Sequence, residues 1–196
     1  PTPTFTRTVT VNQPSGGLNL DMTLMNLNNL RYSDPDIEMP EQGTVEMWNI
    51  VNTTVEPHPI HLHLAHFRTL GRIPIDLSAY QRDFPRPTFG TRWAPPVERF
   101  LTGPSVPPAA WEAGWKDTVN TYPGTVTQIL VRFPTADELG FDPDATFAGP
   151  AAHHGGHDMS GHDMGGSSEL QGYMWHCHML DHEDHEMMLR YRTVAP

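Results

Sequence analysis

The chain has a single cysteine, Cys177, among 196 residues. No internal disulfide can form, and cysteine pairing carries no information about redox compartment. No run of about 18 apolar residues occurs, so no membrane-spanning helix is expected. Positive charge is scarce as well. Twelve Lys and Arg stand against twenty-three Asp and Glu, a net charge of −11, which argues against a nucleic-acid partner. Turn formers are plentiful: twenty prolines and sixteen glycines punctuate short apolar runs, the pattern of an all-β sandwich with long loops. The length suits one sizeable domain with its own core.

Strands are expected over 5–12, 18–24, 44–52, 60–70, 126–133, 173–178 and 187–193. A short helix is expected over 75–80, and the proline-rich stretch 84–113 reads as a long loop. Its aromatics Phe89, Trp93, Phe100 and Trp111 either line an entrance for substrate or pack the loop down. Residues 151–168 form a Gly-, His- and Met-rich insertion with a five-residue repeat, Gly156-His157-Asp158-Met159 and Gly161-His162-Asp163-Met164. Such a tract binds copper ions loosely or is simply a flexible insertion.

The chemistry concentrates in two motifs. One is His176-Cys177-His178, followed by His182 and Met187; the other is His58-Pro59-Ile60-His61-Leu62-His63. A thiolate, two imidazoles and a weak axial thioether are the ligand set of a blue-copper electron-transfer centre. In extended chain, residues two apart share a face. Cys177 therefore points away from His176 and His178, and His58 away from His61 and His63. His58, Cys177, His182 and Met187 are expected to converge on one copper. His61, His63, His176 and His178 are expected to face a second metal site, joined to the first through the backbone of Cys177. A lone buried cysteine is usually a small hydrophobe, but chance rarely reproduces ligand type and spacing together.

The pattern H-x-x-H-x-H followed far downstream by H-C-H-x₃-H-x₄-M resembles the last cupredoxin domain of three-domain multicopper oxidases. Residues 45–72 and 175–190 look most like the bacterial spore-coat laccase type, with bilirubin oxidase and phenoxazinone synthase as relatives. Gly114-Trp115-Lys116-Asp117-Thr118 and His182-Glu183-Asp184 add to the likeness, which spans nearly the whole chain outside the 151–168 insertion. It implies a cupredoxin-like Greek-key β-sandwich over residues 1–196. It also implies a type 1 copper on His58, Cys177 and His182 with Met187 axial, a type 2 copper on His61, and a type 3 pair on His63, His176 and His178. Met187 fits the family spacing better than Met188. Electrons would enter at His182 and pass through Cys177. Glu183 matches an acid that delivers protons to oxygen in the family, or it orients a ligand. Leu64 departs from the glycine that many laccases carry after the third histidine.

The same resemblance exposes a deficit. The family's trinuclear cluster takes eight histidines, half of them from two H-x-H motifs in another domain, and this chain offers four. His66, His185 and the group His153, His154, His157 and His162 lack the spacing. The opening Pro1-Thr2-Pro3-Thr4 reads as a linker end. The N-terminal part of the same oxidase, or a separate subunit with two H-x-H motifs, is therefore the expected partner, together with a small organic reductant and dioxygen. A secreted, periplasmic or spore-associated setting is favoured. The competing readings are a single-copper electron-transfer cupredoxin and a copper-resistance or copper-binding protein. The electron-transfer cupredoxin would not need the four additional imidazoles, which favour the oxidase. A structural zinc site would favour a closed Cys/His tetrahedron without Met.

Overall fold

A computed structural model describes residues 2–13, 25–145 and 171–196. The expected strand 18–24 and the His/Met-rich insertion lie outside the described residues. Two β-sheets face each other. The first has the order β2 (Asn26–Leu27), β1 (Phe5–Asn12), β3 (Val45–Asn52), β7 (Thr125–Arg132) and β5 (His66–Pro74). The second has the order β6 (Thr118–Thr121), β4 (His58–Leu62), β8 (Tyr173–Cys177) and β9 (Met188–Tyr191). Pairing is antiparallel except between β1 and β3. Among the described residues no helix is long and apolar enough to cross a membrane.

Alternation decides the core. In β3, Trp48 and Ile50 point inward, and in β8 Trp175 and Cys177 do so; all are fully buried. They meet Val9, Val11, Ile129, Val131, Phe133 and Tyr191 in one apolar cluster between the sheets. Trp48 packs edge-on against Trp175 at 5.7 Å between ring centroids, a favoured aromatic geometry. Cys177 and Met187 belong to this cluster, so the chemical centre grows out of the core itself.

Several elements differ from expectation. The apolar run 60–70 is two strands, because the chain turns at His63–Ala65: Leu64 sits at φ 60° and Ala65 N–H reaches back to the His63 carbonyl. The expected helix over 75–80 starts later, as α1 (Leu77–Asp83), with Asp76 Oδ1 accepting from Ala79 N–H at 2.9 Å as its N-cap. Short helices α2 (Ala136–Leu139) and α3 (Leu180–Glu183), and strands β2 and β6, were not expected. The 84–113 loop is irregular apart from two 3₁₀ turns. Trp93 and Phe100 are buried with Val51, Tyr80 and Val126 in a second apolar cluster, so packing claims those two aromatics. Phe89 lies against Arg31, and Trp111 stays exposed.

Candidate metal centre

Strand register sorts the ligands. In the antiparallel pair β4–β8, Ile60 stands opposite Cys177, His61 opposite His176, and Leu62 opposite Trp175. Directly opposed residues share a face. Ile60, Leu62, Trp175 and Cys177 therefore turn into the core, while His61 and His176 turn out together. His58 is in phase with Ile60 and is fully buried.

The inner set comprises His58, Cys177 and His182. Cys177 Sγ lies 3.7 Å from His58 Nδ1 and 3.6 Å from His182 Nδ1, and the two nitrogens are 3.2 Å apart. A point equidistant from three such atoms lies about 2 Å from each, the length of a metal–nitrogen bond. The donors thus fit a trigonal His₂Cys site without rearrangement. A short loop closes the triangle. After β8, α3 brings His182 back toward the sulfur. Glu186 at φ 76° then reverses the chain, so that Met187 N–H bonds the His182 carbonyl and the Met187 carbonyl accepts from Cys177 N–H, both at 3.0 Å. Met187 is fully buried, whereas Met188 opposes His176 across β8–β9 and so faces outward.

Electrostatics suit a cation. Burial, with a smaller contribution from His182, pushes His58 down to about 4, so its ring is neutral at ordinary pH. Burial pushes the Cys177 thiol up to about 11. A metal ion in the triangle reverses that second effect, since coordination deprotonates a thiol outright.

The outer set is built from His61, His63 and His176. His63 Nε2 and His176 Nε2 are 3.3 Å apart. The His178 ring centroid stands 5.4 Å from that of His61 and 5.5 Å from that of His176. Two of the rings are held from behind. His61 Nδ1 meets the Asp117 carbonyl at 3.0 Å and Thr118 Oγ1 at 2.9 Å. His176 Nδ1 meets the Cys177 carbonyl at 3.1 Å and Glu183 Oε2 at 3.3 Å. The Tyr191 hydroxyl donates to the His63 carbonyl. Burial, chiefly, holds both His61 and His63 below the usual imidazole range. His66 is exposed in a neighbouring cleft, and His185 is exposed after α3.

Three contributors lie outside the two ligand motifs. Thr54 Oγ1 stands 2.8 Å from His58 Nε2, Glu56 Oε2 lies 3.9 Å from His182 Nε2, and Tyr191 anchors the turn after β4. Only the first had a readable signal, in Asn52-Thr53-Thr54, a sequence suited to an Asx turn ahead of the first histidine.

The multicopper oxidase family profile matches residues 3–140. The laccase of Bacillus subtilis is 38% identical over 162 residues, which make up 83% of this chain and 23% of that protein. Multicopper oxidase LPR1 of Arabidopsis thaliana is 32% identical over 174 residues, 86% of this chain and 26% of that one. Among solved structures, the McoA multicopper oxidase of the hyperthermophile Aquifex aeolicus aligns with a TM-score of 0.54 at 21% identity. That alignment covers 97% of this chain and 29% of the other, and it bears out the cupredoxin-like sandwich. The chain spans about a quarter of the length of these curated relatives.

Proposed function

The chain belongs to the multicopper oxidase family, and from that premise we propose that it is the electron-accepting domain of a laccase-like oxidase using dioxygen as acceptor. In this reading residues 1–196 form one cupredoxin domain. His58, Cys177 and His182, with Met187 as a weak fourth ligand, would hold the type 1 copper. His61 holds the type 2 copper, and His63, His176 and His178 hold this chain's share of the type 3 pair. The reductant is a phenol or a similar small organic molecule. Bound copper supplies one-electron chemistry at the inner set and, at the completed outer set, reduction of dioxygen to water.

The observation that carries this reading is the placement of Cys177. Its sulfur closes the inner triangle, while its backbone is bonded on either side to an imidazole of the outer set. The two donor sets are thus linked by a short covalent path with no gap to cross. Burial of His58 and Cys177 keeps water from the inner donors. His182 is 6% exposed with Nε2 turned toward the surface carboxylate of Glu56, which suits the entry of electrons there. The Cys177 carbonyl accepts from His176 Nδ1–H, which leaves Nε2 to ligate, and Glu183 Oε2 stands 3.3 Å from the same Nδ1. With its side chain a quarter exposed, Glu183 also bridges solvent and cluster, as delivery of protons requires.

Four imidazoles cannot enclose three metal ions, so the remaining ligands come from outside these 196 residues. The N-terminal part of the same oxidase, or a separate subunit with two H-x-H motifs, supplies them. A cleft of about 440 Å³ lined by Leu64, His66, Trp115, Arg132, Pro134 and Leu139 adjoins the hollow over His61 and His63. It offers that partner an apolar seat beside the half-built cluster. The direct test is Cys177→Ser. The copper-loaded variant is expected to lose the intense thiolate-to-copper absorption and all oxidation of a phenolic reductant, with its circular dichroism unchanged. Retained blue colour would overturn the assignment.

A further inference from the structure

We propose that Thr54 is a positioning residue for the inner copper site, setting through the ring of His58 how strongly that imidazole donates; this rests on the reading of His58 as a ligand through Nδ1. His58 aims Nδ1 at Cys177 Sγ and at His182 Nδ1. A neutral imidazole that ligates through Nδ1 carries its proton on Nε2. The group standing at that nitrogen is Thr54 Oγ1, at 2.8 Å, and both residues are buried.

Thr54 is itself held. Its hydroxyl has two internal acceptors, Asn52 Oδ1 at 2.8 Å and the Glu56 carbonyl at 3.0 Å, and Asn52 Oδ1 also accepts from Thr54 N–H at 2.8 Å. Asn52 Nδ2 in turn donates to the carbonyls of Glu56 and Thr121. With its proton committed to either acceptor and one lone pair taken by Glu56 N–H at 3.2 Å, the Thr54 oxygen offers His58 its remaining lone pair. Thr121 Oγ1 donates to the His58 carbonyl at 2.9 Å, so backbone and ring are fixed from two sides. His182 is placed differently, since its Nε2 faces a half-exposed carboxylate at 3.9 Å, beyond hydrogen-bond range. The two imidazoles of the inner set are therefore inequivalent: one has a dry internal acceptor, and the other turns its edge to solvent.

A hydrogen bond donated by the remote N–H makes an imidazole more basic, and loss of such a partner costs about 10-fold or more in metal affinity. A more basic ligand favours the cupric over the cuprous ion. A tenfold change in that preference moves a one-electron potential by about 59 mV. In the copper-loaded holoprotein, Thr54→Val keeps the side-chain shape and removes the hydroxyl. It should retain the thiolate-to-copper absorption, bind cupric ion about tenfold more weakly, and show a potential higher by about that amount. Thr54→Ser should restore both values. A potential in Thr54→Val equal to that of the wild type would overturn the role. A second measurement needs no variant. Electron–nuclear double resonance of the wild-type protein in deuterated water should find one remote imidazole proton that exchanges slowly, on His58, and one that exchanges fast, on His182. Two fast protons would also overturn it. Absence of the thiolate-to-copper absorption from the copper-loaded wild type would instead sink the ligand assignment beneath it.

Discussion

Cys177 was legible from the sequence because a thiol between two imidazoles has few uses besides metal ligation, and strand alternation then dictated which neighbours share its face. Tyr191 was not legible, since a hydroxyl that holds a carbonyl leaves no distinctive spacing, and for Thr54 only the Asx-turn sequence Asn52-Thr53-Thr54 gave a hint. The axial position tests the assignment at single-residue resolution. Met187→Leu should keep the copper and the blue colour while raising the reduction potential, because only a weak ligand is lost. Met188→Leu, altered on the outer face, should leave the potential where it was. Redox titration of both variants checks this, and the reverse pattern would move the axial role to Met188. His58 makes a separate prediction for the metal-free protein. Its pKa is about 4 in the fold against about 6.5 in the unfolded chain. The unfolded state takes up the proton first, so stability is complete above about pH 6.5 and is lost as the pH falls toward 4. The difference corresponds to about 3 kcal/mol. Urea titrations between pH 7 and 4 should show that loss, and His58→Asn should flatten it. The flattening is partial, because His61 and His63 are shifted in the same direction.

The elements that position the site were read unevenly, for physical reasons. β1, β3 and β7 were found within a residue because each is long and alternates or runs apolar. The run 60–70 carries no glycine or proline at its turn, so nothing in composition announced the break between β4 and β5. That break rests on Leu64 at φ 60°, a conformation that costs an ordinary L-residue about 1–2 kcal/mol and glycine nothing. The glycine found there in many laccases thus has a backbone reason. Leu64→Gly should stay within about 1 kcal/mol of wild type, since relief of strain offsets the added freedom of the unfolded chain, while Leu64→Val should destabilise by about 1–2 kcal/mol. Chemical denaturation measures both, and a Gly variant much weaker than the Val variant would contradict the account. Asp76 belongs to the same scale. It caps α1, so Asp76→Ala should cost about 1 kcal/mol and leave the blue absorption unchanged; a changed absorption would give it a role at the copper. α3 escaped notice because it is a single turn whose sequence is mostly ligand and acid, and β6 because its four residues, Thr118–Thr121, carry no apolar alternation.

In the proposed reading the chain as a whole pairs a finished site with an unfinished one. The inner donors sit in the core between the two sheets, and their geometry needs nothing from outside. The outer imidazoles lie on a partly open face beside an apolar cleft, and holding a full set in register calls for a second surface. The histidine inventory alone already points to this division, because ligands can be counted along a sequence. Where the covering surface would rest could not be counted. It depends on Leu64, Trp115 and Leu139, which are distant in sequence and meet only once β5, β7 and α2 have folded. The account is tested most directly by copper content read together with oxygen uptake, for the 196-residue chain refolded alone and for the chain joined by a segment bearing two H-x-H motifs. The chain alone should hold one tightly bound copper, show the blue absorption and consume no oxygen. The joined protein should hold about four coppers and turn over. Full copper loading with oxygen uptake by the chain alone, as monomer or self-assembly, would contradict the account.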